Sequence, residues 1–176
     1  GLKDIFAVRG GWKEKFGKEP PSLLKNNGDG TFTDVTMQSG LLYFFPSQTA
    51  AWADFNNAGW LDVYIGHESL PGDNVPSQLF INNKNGTFTD ISVQANCSLT
   101  AFVKGVTVGD YNNDEWPDIF ISSFNGCKLF RNDGIKNGIV HFTDVSQVAG
   151  LPAKPLHTFA TWFWDYNNDG WPDILT

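Results

Sequence analysis

The sequence predicts an all-β protein assembled from repeated units of four antiparallel strands. Two motifs recur along the chain with a common period of about 55 residues, which is typical of repeat architectures. The composition agrees, because 15 Phe, 7 Trp and 18 Gly against a single Met favour aromatic strands and tight turns over helices. With 41% hydrophobic residues in 176, the chain can bury a core.

The first motif is an aspartate-rich loop that leads into an apolar strand. It occurs three times, as AWADFNNAGWLDVYIG (51–66), TVGDYNNDEWPDIFIS (107–122) and WFWDYNNDGWPDILT (162–176). The second motif keeps nearly the same pitch, as LLKNNGDGTFTDVT (23–36), LFINNKNGTFTDIS (79–92) and LFRNDGIKNGIVHFTDVS (129–146). Two interleaved motifs with one period predict successive copies of one folding unit.

Each unit is predicted to contain four short strands, the composition of one β-propeller blade. In the third unit we expect strands at 103–111, 118–124, 127–132 and 139–146. A turn at Asn125-Gly126 and a Gly-rich turn from Asp133 to Gly138 separate the later strands. The predicted organisation is part of one propeller over residues 1–176, with a partial blade at 1–40, blades at 41–95 and 96–150, and the start of another at 151–176.

Both ends of the chain are expected to lie inside blades. Asp4-Ile5-Phe6-Ala7 matches the strand that begins at Asp118, so Asp4 is interpreted as the remnant of a fourth acidic loop. The chain also stops just inside the second strand of another blade. Because an open arc of blades leaves unpaired edges, we expect the natural protein to be longer.

The last acidic loop has the spacing of a calcium site. Side-chain oxygens recur at Asp165, Asn167, Asp169 and Asp173, with Gly170 at the sixth position. Alternate residues of a tightly coiled loop point inward, the glycine permits a sharp bend, and hard oxygens suit Ca²⁺. The backbone carbonyl of Trp171 is the expected seventh-position ligand.

The other two loops depart from this pattern at one position each. The second has Glu115 in place of the glycine, and a positive φ there would cost about 1 kcal/mol. The first has Ala58 in place of the fifth-position acid, which weakens the site. Two to three calcium sites are therefore expected. The further candidate ligands are Asp110, Asn112, Asp114, Trp116 and Asp118 in the second loop, and Asp54, Asn56, Trp60 and Asp62 in the first.

Other structures with aspartate-rich loops explain the pattern less well. Asx-turns in hairpins account for one or two acids per loop, not for several at a fixed spacing. EF-hands and dockerins continue into a helix, whereas these loops lead into Val63-Tyr64-Ile65, Ile119-Phe120-Ile121 and Ile174-Leu175. Thrombospondin-type calcium repeats are densely acidic, with little apolar strand between their loops.

The units resemble FG-GAP/VCBS repeats, the calcium-loop blades of the integrin α-chain propeller and of many secreted bacterial proteins. The strings NNGDGTFTDVT and DYNNDGWPDI are most similar to the subgroup related to cartilage acidic protein and to bacterial proteins with a UnbV-like C-terminal domain. The resemblance covers nearly the whole chain. It implies a seven-bladed propeller, a location that is extracellular, on the cell surface or periplasmic, and a binding or adhesion role.

The two cysteines and the loops at the opposite end of the blades supply further candidates. Cys97 and Cys127 lie in or beside loops of one face, where either a disulfide within the blade or two free thiols fits. The same face carries variable loops with exposed aromatic residues, which suit a protein or glycan partner. These loops are predicted at residues 9–22, 41–48, 66–77 and 150–158. His67 and His157 belong to this face, whereas His141 is expected to be structural.

The remaining observations restrict the function classes. The formal charge of −7 without a basic patch argues against nucleic acid, and three bound divalent cations would nearly cancel that charge. No apolar run is long enough for a membrane helix. No G-x-S-x-G, H-E-x-x-H, C-x-x-C or phosphate-loop motif is present. We therefore expect a non-enzymatic calcium-binding scaffold for protein interaction or adhesion, with a lectin-like or polysaccharide-processing propeller as the alternative.

Overall fold

The computed structural model describes residues 1–152 and 157–176 and confirms an all-β fold of four-stranded antiparallel units. Two complete sheets follow one another along the chain, each with its strands in sequence order. They consist of β4 (Ser47–Ala53), β5 (Asp62–His67), β6 (Gln78–Asn82) and β7 (Phe88–Asp90), and of β8 (Val103–Gly109), β9 (Asp118–Ser123), β10 (Lys128–Lys136) and β11 (Ile139–Asp144).

Incomplete sheets lie on either side of these two in the chain. The first contains β1 (Ile5–Ala7), β2 (Ser22–Asn26) and β3 (Phe32–Asp34), and the last is the hairpin of β12 (Trp162–Trp164) and β13 (Asp173–Leu175). The pairing of β1 with β2 repeats that of β5 with β6, so β1 occupies the place of a second strand. The only helices within the described residues are a single 3₁₀ turn, Glu14–Phe16, and a four-residue α-helix, Thr36–Ser39.

The core lies between successive sheets. Alternate residues of a strand enter different layers, because successive side chains of a strand point to opposite faces. Val63 and Ile65 pack toward the first sheet, while Tyr64 packs toward the third. Ile119 and Ile121 share the layer of Tyr64, whereas Phe120 packs against the last hairpin. The central strands β5 and β9 are therefore buried on both faces.

The first strands of successive blades pack against one another, as β4 does against β8 and β8 does against β12. Gly66 marks the close approach between two blades. A Cβ at this position would lie 2.6 Å from Val103 Cγ1 and 2.9 Å from Thr49 Cγ2. Glycine is required here because a side chain would separate the two sheets.

The predicted Gly-rich turn from Asp133 to Gly138 is shorter than expected. Strand β10 continues to Lys136, with a register shift between Asn132 and Ile135, and only Asn137 and Gly138 form the turn. The shift accommodates the extra residues of this hairpin as a β-bulge, which keeps both strands paired.

No helix in the described part of the chain is long and apolar enough to cross a membrane.

His67, at the end of β5, is buried between blade elements as a neutral imidazole. Gln78 donates its amide to Asp90 at 2.7 Å, which leaves Gln78 Oε1 to accept from His67 Nε2 at 3.0 Å. Ser47 Oγ lies 2.8 Å from Nδ1, and the rings of Tyr43 and Phe45 pack against the imidazole. Burial lowers the pKa of His67 to about 4.

We expect this histidine to make the fold sensitive to acid. The unfolded state binds a proton near pH 6.5 and the folded state only near 4, so stability is complete above 6.5 and falls as the pH drops toward 4. The loss between pH 7 and pH 5 should be about 2 kcal/mol. Urea unfolding of the wild type and of His67→Gln at both pH values measures it. Equal pH dependence in the two proteins would refute the assignment, since all other acids are common to both.

Candidate metal-binding loops

The three acidic loops join the first strand of a blade to its second, at residues 54–62, 110–118 and 165–173. They share one backbone conformation. The fourth residue is left-handed in each, with φ of 51° at Asn57, 55° at Asn113 and 58° at Asn168. The sixth is also left-handed, with φ of 83° at Gly59, 69° at Glu115 and 87° at Gly170. Glu115 thus has the positive φ that the glycine of the pattern would adopt more easily, a conformation that costs a residue with a side chain about 1 kcal/mol.

The first aspartate of each loop organises the turn. In the second loop, Asp110 accepts the backbone N–H groups of Asp114 at 3.0 Å and of Glu115 at 2.8 Å, one on each carboxylate oxygen. Asp54 and Asp165 accept the equivalent pairs in their own loops. Each carboxylate is thereby held toward the inside of its loop, and each of its oxygens retains a lone pair for another partner.

The ninth-position aspartate ties the loop to the rest of the blade. Asp118 Oδ1 accepts the N–H of Asn132 in β10 at 2.7 Å, and Oδ2 accepts the N–H of Tyr111 at 3.1 Å. Asp62 makes the same two contacts, and Asp173 accepts from Tyr166 at 3.2 Å. Asp4 Oδ1 accepts the N–H of Asn26 at 2.8 Å, so Asp4 takes the ninth-position contact in the first sheet.

An asparagine in the third strand of each blade completes this link and was missed by the sequence analysis. Asn26, Asn82 and Asn132 each donate their side-chain amide, at 3.1 Å, to the residue that precedes the ninth-position aspartate. The acceptors are the carbonyls of Lys3, Leu61 and Pro117. The signal was available, because an Asn recurs in the second motif as LLKNN, LFINN and LFRND.

The third and fifth positions differ between the loops. Asn112 donates its amide to Asp114 at 2.7 Å, while its Oδ1 is buried and has no hydrogen-bond partner. In the last loop, Asn167 donates to Asp169 at 2.8 Å, and its Oδ1 accepts the N–H of Asp169 at 3.1 Å. In the first loop, Ala58 offers no side-chain oxygen. The second loop thus carries the one buried loop oxygen without a partner among the described residues.

The side chains of these loops offer carboxylate and amide oxygens, the donor type that Ca²⁺ prefers. Within residues 1–152 and 157–176, no three or more His, Cys, Asp or Glu side chains converge as a metal cluster. The loop carboxylates accept backbone N–H groups instead, and the loops rely partly on Asn oxygens. The unpartnered Oδ1 of Asn112 is the observation that favours a cation, because a buried acceptor without a partner costs about 1–3 kcal/mol.

The electrostatics of the loops point in the same direction. Burial raises the pKa of the Asp118 carboxyl to about 7, although the N–H groups of Asn132 and Tyr111 oppose the shift; the charges of Asp114 and Asp110 add to it. Burial likewise raises the pKa of Asp62 to about 6. Charged carboxylates are therefore costly here, and a bound divalent cation would reverse that cost.

Neighbouring loops are joined by hydrogen bonds between blades. The fourth-position asparagine of one loop donates its amide to the sixth-position carbonyl of the next. Asn57 donates to the carbonyl of Glu115 at 3.2 Å, and Asn113 donates to that of Gly170 at 3.0 Å. The three loops therefore form a connected row at one end of the blades.

The disulfide suggested between Cys97 and Cys127 is not formed, and both cysteines are free. The two side chains occupy different core layers. Cys97 is buried between the two complete sheets, where burial raises the pKa of its thiol. Cys127 packs in the layer next to the last hairpin, with Sγ 3.4 Å from Thr158 Oγ1. The sheet of β8 to β11 separates the two layers, which explains why the thiols do not meet.

The loops at the opposite end of the blades come together as expected. The N–H of Ser47 donates to the carbonyl of Arg9 at 2.8 Å, and that of Glu68 donates to the carbonyl of Pro46, also at 2.8 Å. The fourth loop, predicted at 150–158, lies partly outside the described residues, since 153–156 are not described. His67 packs among Tyr43 and Phe45, whereas His157 packs against Phe124, so the two histidines contact different residues.

Comparison with known proteins identifies the repeated unit. The model of the FG-GAP-like repeat matches residues 1–65, 54–121 and 110–176. Cartilage acidic protein 1 of Xenopus tropicalis is 32% identical over 108 residues, which are 59% of this chain and 16% of that protein. The Mus musculus protein of the same name is 24% identical over 152 residues, which are 86% of this chain and 22% of that protein.

The family-model matches run through the whole chain in three overlapping copies, and each copy contains strands of two successive sheets. The chain spans less than a quarter of the length of the relatives it matches. The repeated loops, the four-stranded sheets and the family matches agree with one another. This chain belongs to the family of FG-GAP-like repeat proteins and forms blades of a β-propeller scaffold.

Proposed function

We propose that the chain is part of a calcium-stabilised, non-enzymatic scaffold that binds a protein partner outside the cytoplasm. The observation that carries the proposal is the recurrence of one loop geometry in three blades, with the unpartnered Asn112 Oδ1 in the second loop. In that loop, Asp110, Asn112, Asp114 and Asp118 would hold the ion together with the carbonyl of Trp116. The last loop offers Asp165, Asn167, Asp169 and Asp173 with the carbonyl of Trp171.

Calcium would act on structure and not on chemistry. Each loop connects the end of the first strand of a blade to the start of the second, and Asp118 reaches β10 through the N–H of Asn132. An ion in the loop would therefore fix three of the four strands of a blade relative to one another. The row of hydrogen bonds from Asn57 and Asn113 would transmit this order to the next blade. The opposite end of the blades would then present rigid loops for recognition.

The extracytoplasmic location follows from the expected affinity. Loops with two or three carboxylates and Asn in place of a further acid bind Ca²⁺ more weakly than fully acidic sites do. Extracellular calcium modules work at dissociation constants of about 10⁻⁴ to 10⁻³ M. The relatives are named cartilage acidic protein 1, and this chain is acidic too, with a formal charge of −7.

Chelation tests the scaffold. The full-length protein should melt at a higher temperature with calcium than with a calcium chelator. Each occupied site should add about 1.4 kcal/mol to the free energy of unfolding when free calcium is about tenfold above the dissociation constant. Asp169→Ala should remove one site's share of the response. The matched control is Asp73→Ala, an exposed turn acid, which should keep the full response. A melting temperature that is indifferent to the chelator would refute the proposal.

A further inference from the structure

The end of the blades opposite the acidic loops contains a pocket of about 360 Å³, and no residue of the three acidic loops lines it. Four segments line it. The loop after β1 supplies Trp12 and Glu14, and the loop after β5 supplies Ser69, Leu70 and Pro71. Phe102 precedes β8, and Phe124 and Asn125 follow β9. Segments of three successive blades thus converge on one cavity, which has the size of a small binding site.

Two residues of this pocket have a strained backbone. The φ angle is 67° at Trp12 and 50° at Glu14, a region that bulky residues seldom adopt. Such strain persists only where surrounding contacts hold it, and it concentrates at binding sites. The N–H of Trp12 donates to Glu68 Oε2 at 2.7 Å, which is the contact that holds the first of these residues.

A buried ion pair supports the aromatic wall from below. Lys104 and Glu68 form a salt bridge in which both side chains are 0% exposed. Lys104 Nζ lies 3.1 Å from the centroid of the Trp12 ring and 4.4 Å from that of Phe102. The inner faces of these rings therefore already contact a cation whose charge Glu68 neutralises. Trp12 is nonetheless 56% exposed, so its outer part is open to a ligand.

Two polar side-chain atoms of the pocket wall, Asn125 Oδ1 and Ser69 Oγ, are already engaged. Asn125 Oδ1 accepts the N–H of Phe102 at 2.9 Å. Ser69 Oγ donates to the carbonyl of Asp73 at 3.1 Å and accepts the N–H of Val75 at 3.3 Å. Among the side chains of the wall, the Asn125 amide and the Glu14 carboxylate remain for a sugar, fewer partners than its hydration shell supplies. A large apolar side chain gives up no hydrogen bonds to water when it enters the pocket, and it buries its surface against Trp12, Phe102 and Leu70.

The negative charge of Glu14 at the rim of the pocket favours apolar ligands that also carry a positive charge. Glu14 is exposed, and its carboxylate has no partner in the described part of the chain. The neighbouring Lys13 is paired with Glu19 at 2.6 Å. A ligand that carries a cation beside its apolar group would complement this carboxylate.

We propose that this pocket binds a protein segment in which a large apolar side chain stands next to a lysine or arginine. The apolar side chain occupies the cavity between Trp12, Phe102 and Phe124, and the basic group pairs with Glu14 at the rim. This inference rests on the proposed role as a protein-binding scaffold and names the chemistry of its partner. It does not depend on calcium in any one loop.

Selection of random heptapeptides on the full-length protein tests the pocket. Enriched peptides should contain Phe, Leu, Ile or Trp directly beside Lys or Arg. Anisotropy titrations with a labelled enriched peptide should show about tenfold weaker binding to Glu14→Lys, since an attraction becomes a repulsion. A second selection on Glu14→Lys should enrich acidic neighbours instead. Asp29→Lys, the same charge reversal in an exposed turn of another hairpin, should leave the affinity unchanged.

The outcomes separate this inference from the scaffold itself. Peptides that bind equally well to wild type, Glu14→Lys and Trp12→Phe would show protein binding at another surface and would overturn the pocket assignment alone. Absence of any enriched peptide, or binding confined to oligosaccharides on a glycan array, would overturn it as well. The chelator response of the melting temperature is measured independently, so a failed calcium scaffold and a failed pocket give different results.

Discussion

Replacing Glu68 by Ala should destabilise the protein by about 3–5 kcal/mol, the usual cost of leaving one member of a buried ion pair without its partner. Glu68 and Lys104 are completely inaccessible to solvent, and the substitution leaves the ammonium group with Gln48 Oε1, at 3.0 Å, as its remaining hydrogen-bond acceptor. The N–H of Trp12 also loses its acceptor. Urea unfolding at pH 7 measures the loss.

A double substitution and a pH series identify the cause. Burial lowers the pKa of Lys104, an effect that Glu68 opposes in the wild type. Without Glu68 the pKa of Lys104 in the folded state should fall further below its value in the unfolded chain. The variant should therefore regain stability as the pH rises toward 10 and the buried amine loses its proton. Glu68→Leu combined with Lys104→Met should recover most of the loss, because it removes both charges. Wild-type stability in Glu68→Ala would show that the pair is not buried in solution.

Asn132→Ala should cost at least about 3 kcal/mol, because three polar groups lose their partners at about 1 kcal/mol or more each. Asn132 is fully buried, and its amide donates to the carbonyls of Phe55 at 2.9 Å and Pro117 at 3.1 Å. Its Oδ1 accepts the N–H of Gly134 at 3.0 Å. The contact with Phe55 joins the loop of one blade to the third strand of the next.

The neighbouring blade provides the control for this substitution. Asn82 occupies the equivalent position, is only half-buried and donates to the carbonyl of Leu61 alone. Asn82→Ala should therefore cost clearly less than Asn132→Ala in the same denaturant titration. Equal losses would mean that the contact across the blades to Phe55 adds nothing. Asn132→Asp should remain destabilised, since it keeps the acceptor for Gly134 but loses both donations.

The sequence was sufficient to predict the blades because their determinants are local and repeated. Alternating apolar residues around Ile119-Phe120-Ile121 identify a strand that is buried on both faces, and the Asp110 loop before it defines where that strand begins. The length of β10 was not predicted, because the glycine of Asp133-Gly134 reads as a turn. A β-bulge that keeps Ile135 paired with Val140 overrides this local signal.

The ion pair and the pocket could not be predicted for a different physical reason. Glu68 and Lys104 each look like an ordinary surface residue in sequence, and only the packing of two blades removes both from water. Trp12 and Phe124 are distant in the chain and meet because loops at one end of neighbouring blades converge. Residue type and spacing carry no information about such contacts, whereas the Asp165 loop is a site whose candidate ligands all lie within nine residues of chain.

Calorimetric titration of the full-length protein with calcium tests the calcium-stabilised scaffold most directly. Asp169→Ala should bind one ion fewer than the wild type. Ala58→Asp, which restores the missing fifth-position acid of the first loop, should gain one site or bind more tightly at that site. Calcium binding that is absent in the wild type, or identical in all three proteins, would contradict the assignment of these loops as calcium sites.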